Sequence, residues 1–98
     1  MNDVKYPVKV MLSKSKDMRF FSQLDLFRLL ERALRRSGLP VYFTQGFNPR
    51  VKISFVSALK LGIEGQIEAT FYFTEYVSPA TLKEKMGPQL AEGLEINE

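Results

Sequence analysis

The 98-residue chain contains no cysteine, no histidine and no tryptophan. Without cysteine there is no disulfide framework, no thiolate metal site and no redox thiol. Without histidine the commonest metal ligand, and the usual general base near neutral pH, are missing. Ser-His-Asp, Cys-His and His-zinc chemistry are therefore excluded within the chain. No apolar run approaches the roughly 18 residues of a membrane span. The opening Met1-Asn2-Asp3-Val4-Lys5 is too polar for a signal peptide. These absences favour a cytoplasmic binding module over an enzyme, with no cofactor and no membrane partner expected. What is present is a globular composition, 45% hydrophobic and 26% charged, and a length that suits one domain over 1–98 with a single modest core.

The net charge of +3 is unevenly spread. Residues 1–60 carry 12 Lys/Arg against 4 Asp/Glu, or +8, and residues 61–98 carry 2 against 7, or −5. If the fold keeps the two halves apart, the first presents a basic surface to polyanions; if it interleaves them, the result is an ordinary mixed-sign surface.

Hydrophobic periodicity places the elements. Residues 6–12 alternate, with Tyr6, Val8, Val10 and Leu12 on the core side of a strand and Pro7 near its start. Residues 13–17 read as a polar turn and 18–21 as a short extended segment. Ser22-Gln23-Leu24-Asp25 fits a capping box, and Phe21 is placed to staple onto Leu26. The helix that follows, 22–37, has Leu26, Phe27, Leu30, Ala33 and Leu34 on one stripe and Arg28, Arg32, Arg35 and Arg36 on the other. Gly38 supplies a left-handed C-terminal residue and Pro40 stops propagation. Residues 41–44 and 51–55 read as two strands joined by the loop 45–50. In these strands Val41, Phe43, Val51, Ile53 and Phe55 face the core, and Tyr42, Thr44, Arg50, Lys52 and Ser54 face away. Residues 59–65 form a glycine-containing connection. Residues 66–74 alternate again, with Ile67, Ala69, Phe71 and Phe73 inward. Ser78-Pro79 opens a short helix to about Met86, and 94–96 read as a last strand. The order predicts an α+β fold: a ferredoxin-like split βαβ sandwich with an added β-hairpin after the first helix. Lys9, Met11, Tyr42, Lys52 and Tyr72 are then placed to line the open face of the sheet.

Three constellations have binding chemistry. Arg28, Arg32, Arg35 and Arg36 could contact phosphates, although solvent faces of helices are commonly charged and Glu31–Arg35 is an ordinary i,i+4 pair. The loop 45–50 with Arg50 and Lys52 could bring backbone amides and charge to a ligand, although a turn needs Gly46 and Asn48-Pro49 anyway. An exposed Phe47 would favour recognition, and a buried one would only anchor the loop. Tyr42 and Tyr72 beside Lys9 and Lys52 could stack bases, although tyrosine is also good strand chemistry. Asp25 is a cap before it is an acid or base.

The string Arg19-Phe20-Phe21-Ser22-Gln23-Leu24-Asp25-Leu26 is similar to the opening signature of the radical-SAM-linked family, a bacterial domain of unknown function. The similarity continues through 31–40 and resumes at Gln45-Gly46-Phe47-Asn48-Pro49, Lys52-Ile53-Ser54-Phe55 and Leu59-Lys60-Leu61-Gly62. It covers 5–65 well and 66–96 more loosely. That family is fused to, or encoded beside, radical S-adenosylmethionine proteins, so the resemblance implies an iron–sulfur partner protein. It places no cluster here, where there is no cysteine to hold one. Family members are commonly longer, which implies a short version or one half of a larger domain. The family usually has histidine where Gln23 stands and often where Arg50 stands. Glutamine keeps hydrogen bonding and arginine keeps charge, which suits binding better than proton transfer. Gln23, Asp25, Gln45, Asn48 and Arg50 are expected to gather into one polar patch.

The leading expectation is an accessory RNA- or polyanion-binding module of a radical-SAM modification system. Phosphates would be held by Arg28, Arg32, Arg35, Arg36, Arg50 and Lys52, and bases would stack on Tyr42 and Phe47. The alternative is a protein-interaction domain docking onto the radical-SAM partner.

Overall fold

A computed structural model describes residues 5–14, 22–57, 66–90 and 93–97. Its elements are β1 (Tyr6–Lys14), α1 (Gln23–Ser37), β2 (Ile53–Ser57), β3 (Gln66–Phe73), α2 (Pro79–Met86), a 3-10 turn (Gly87–Gln89) and β4 (Leu94–Asn97). The architecture is α+β, with one four-stranded sheet in the order β2-β3-β1-β4 and every neighbouring pair antiparallel. Val10 opposes Ala69, Leu12 opposes both Ile67 and Ile96, and Ile53 opposes Phe71. This register brings the apolar side of each strand to one face. Leu26, Leu30, Ala33 and Leu34 of α1 and Leu82 and Met86 of α2 join those residues in a single core. Both helices thus cover the same face, and the opposite face carries Lys9, Met11, Thr70, Tyr72, Ser54 and Lys52 by alternation. Among the described residues no helix is long and apolar enough to cross a membrane.

Both helices begin as the sequence predicts. Ser22 caps α1 in a complete capping box with Asp25, and Gly38 closes it in the left-handed conformation, φ 79°. Ser78 caps α2, with Pro79 at its start. The strands differ from expectation in several places, the first being β2, which runs from Ile53 to Ser57 rather than over 51–55. Ser13 and Lys14 belong to β1, not to a turn, because β3 and β4 pair with this end of it. The segment 41–44 is not a strand. Val41 bridges Phe73 at the end of β3, in the place that Val51 would take if β2 ran on, and Phe43 bridges Val51 instead. The expected hairpin is thereby reduced to isolated bridges, one of them accompanied by a 2.8 Å bond from the Thr44 N–H to the Arg50 carbonyl. Phe43, expected in the core, is exposed and carries the Arg35 guanidinium over its ring, while its bridge partner Val51 is buried. Tyr6 is also exposed, at the first position of β1. The extended segment 18–21 with the Phe21 staple, and the connection 59–65, lie outside the described residues.

Candidate functional site

Helix α1 presents its arginines to solvent because its apolar stripe is spent on the core. Arg28, Arg32, Arg35 and Arg36 are all exposed. Arg28, Arg32 and Arg36 follow one another at i,i+4 spacing and so run along one ridge. Among the described residues no carboxylate reaches ion-pair distance of these three. Of the described carboxylates in the acidic second half none lies against them; Glu68 pairs with Lys9 at 3.7 Å on the other face of the sheet. Asp25 is occupied by the cap, accepting from the Ser22 hydroxyl at 2.9 Å and the Ser22 N–H at 3.3 Å.

Beside this ridge lies a cluster that joins the helix to the loop. Glu31 accepts two hydrogen bonds from Arg50, from Nε and Nη2, both at 2.8 Å. Its Oε2 also lies 3.6 Å from Nη2 of Arg35, one turn on. Arg50 sits 5.6 Å over the Phe27 ring and Arg35 sits 5.1 Å over the exposed Phe43 ring. The Arg50 bond holds the Glu31 carboxyl below its ordinary range, and a bond from the Val51 backbone and the charges of Arg50 and Arg35 act in the same direction against partial burial. Reciprocally, Glu31 raises Arg50 above the usual guanidinium value. One carboxylate therefore serves two guanidinium groups, and the cluster keeps a positive excess. The loop is tied a second time where the Arg50 N–H donates to the Thr44 hydroxyl at 3.1 Å.

Between Thr44 and Arg50 the loop turns outward. Gly46 takes φ 136°, and Phe47 is fully exposed, at 103%. A phenylalanine in that state packs on nothing in its own chain, so the anchoring role foreseen for a buried ring does not apply. Gln45 and Asn48 are exposed on the same loop. The side chain of Gln23 lies outside the description, so the polar patch is traced only through Asp25, engaged in its cap, and Arg50, engaged with Glu31.

Two of the expected residues belong elsewhere. Lys52 lies on the open sheet face, 5.4 Å over the Tyr72 ring, and Tyr72 shares a 3.4 Å hydroxyl contact with Ser54. Tyr42 is on that face as expected but is only 8% exposed, with Lys5 lying 5.4 Å over its ring. Its ring is thus largely covered, unlike that of Phe47. Sequence reasoning missed Glu31 as the hub and Phe27 and Phe43 as the guanidinium seats. The Glu31–Arg50 pair spans 19 positions, and no local pattern announces it.

No match is found among curated proteins or among solved structures. A family model described as "Uncharacterized protein conserved in bacteria (DUF2344)" matches residues 8–98. That span takes in the capping box, the arginine ridge, Glu31 and the whole loop, and the chain belongs to the bacterial family DUF2344.

Proposed function

We propose that this chain is an accessory module that holds RNA by its phosphates, through the arginine face of α1 and the loop 45–50. The observation that carries the reading is the ridge Arg28, Arg32 and Arg36, unpaired among the described residues. With Arg35 and Arg50, five guanidinium groups stand against the carboxylates of Glu31 and Asp25, a local excess of three positive charges. Such an excess attracts a polyanion by releasing its counterions. The exposed Phe47 ring beside it is a stacking surface for an unpaired base. A ferredoxin-like split βαβ sandwich is the fold this reading adopts, on the βαββαβ element order and the strand order β2-β3-β1-β4. Action in the cytoplasm beside an iron–sulfur radical-SAM protein belongs to the same proposal and rests on the motif resemblance alone.

The test is binding of a mixed single-stranded RNA pool, followed by fluorescence anisotropy across a salt series. Affinity should fall steeply with salt, and R32E/R36E should weaken binding and flatten the slope by about 1.4, for two contacts at roughly 0.7 each on single strands. Unchanged affinity in the double variant refutes the ridge as the binding surface.

A second reading, docking onto a protein partner, is favoured by the same bare Phe47, since aromatic rings anchor interfaces. Capture of the radical-SAM partner that survives nuclease treatment and is lost in F47A would select it.

A further inference from the structure

We infer that Arg35 and Arg50, held side by side by Glu31, form a preorganised clamp for a single phosphate group, with Glu31 as its positioning residue. This rests on the RNA reading for its biological ligand and names, within that surface, the place where one phosphate is gripped rather than merely attracted.

The cluster is built, unlike the ridge. Each guanidinium has its back on a phenylalanine ring, Arg50 on Phe27 and Arg35 on Phe43. Each is oriented by the same carboxylate. Glu31 is itself largely buried, with its side chain 13% exposed, whereas those of Arg35 and Arg50 are 49% and 50% exposed. The carboxylate is thus sheltered while both cations meet solvent. A guanidinium has five N–H donors. Arg50 uses two on Glu31, which leaves three. Arg35 contacts Glu31 at ion-pair distance and forms no hydrogen bond through its guanidinium among the described residues. Two planar cations in fixed orientation with unused donors fit the tetrahedral oxygens of a phosphate, which guanidinium groups bind in paired fashion. The arrangement also lowers the ordering cost of binding, since two long side chains are already immobilised.

Diffuse attraction and a positioned clamp predict opposite signs for one substitution. Glu31→Gln removes a negative charge, which strengthens attraction of a polyanion if charge alone matters. It also releases both arginines, which weakens binding if their placement matters. Arg50→Lys keeps the charge and loses the paired geometry. Binding of a short fluorescein-labelled oligouridylate to the full chain at low salt reads both. Each variant is expected to lose about tenfold in affinity, the scale of one charge-assisted hydrogen bond. Tighter binding by E31Q, with R50K unchanged, overturns the clamp and leaves the broader RNA reading standing. If circular dichroism finds E31Q unfolded, R50K decides alone. If the unaltered chain binds no RNA, the RNA reading is lost, and titration of inorganic phosphate into nitrogen-labelled protein decides the clamp. Selective movement of the Arg35 and Arg50 Nε–H signals supports it. Equal movement of all six arginine Nε–H signals, or none, overturns it.

Discussion

Glu31 is a carboxylate on a face otherwise given to cations, and its effect on stability has a definite sign. Its folded-state pKa lies below the ordinary carboxylate value, chiefly through the Arg50 hydrogen bond. A depressed carboxyl stabilises the fold above its unfolded pKa, and that contribution disappears as pH falls through the folded value. The melting temperature of the unaltered chain should therefore exceed that of E31Q near neutral pH, and the gap should close on acidification below about pH 4.5. A gap that stays constant with pH would mean that the pair stabilises nothing. Phe47 separates function from stability in the opposite way. A fully exposed ring contributes no packing, so F47A should stay within about 0.5 kcal/mol of the parent in urea unfolding. If the ring stacks a base, the same variant should lose about 1–3 kcal/mol of RNA binding.

Helix α1 supports the first of these predictions, because it carries Glu31 and the arginine ridge on a single rigid body. Its ends are secured by local chemistry. Ser22→Ala removes the acceptor for the Asp25 N–H, a 3.1 Å bond, and should cost about 1 kcal/mol in denaturant unfolding, with the slope unchanged. Such elements are legible in a sequence, because cap, stripe and stop all lie within four residues of what they act on. The alternating strands β1 and β3 are legible on the same ground, each declaring its buried face every second residue. Legibility ends where partners are distant. Whether Ser13 and Lys14 stay extended depends on Glu95 and Leu94, some eighty positions on. The segment 41–44 has strand-like residues, but its neighbours are Phe73 and Val51, on two different stretches of chain, and no ladder can form. The candidate site divides in the same manner. The ridge follows from helical spacing, while the bond from Arg50 to Glu31 exists only after the loop has folded back along the helix.

At the scale of the whole molecule the question is which face would meet the proposed polyanion, since basic residues occupy both. The α1 arginines lie on the helix layer, and Lys9 and Lys52 lie on the opposite side of the sheet. The sheet face is the weaker attractor: Lys9 is paired with Glu68, and Lys52 rests on Tyr72. The two faces also act separately. The molecule measures 42 × 26 × 23 Å, and the screening length at physiological salt is about 8 Å. Even the shortest dimension is several screening lengths, so a strand bound to one side gains little from charges on the other. Charge reversal should then discriminate the faces, because either pair shifts the total charge equally. K9E/K52E and R28E/R32E change net charge by the same amount, so a response to overall charge would treat them alike. The helix pair should lower the salt slope of RNA binding by about 1.4, at roughly 0.7 per contact, and the sheet pair should leave it nearly unchanged. Anisotropy titrations of both variants across a salt series measure this directly. Equal losses from the two faces would mean that RNA wraps the domain, and a loss confined to the sheet pair would transfer the binding surface to Tyr72 and its neighbours.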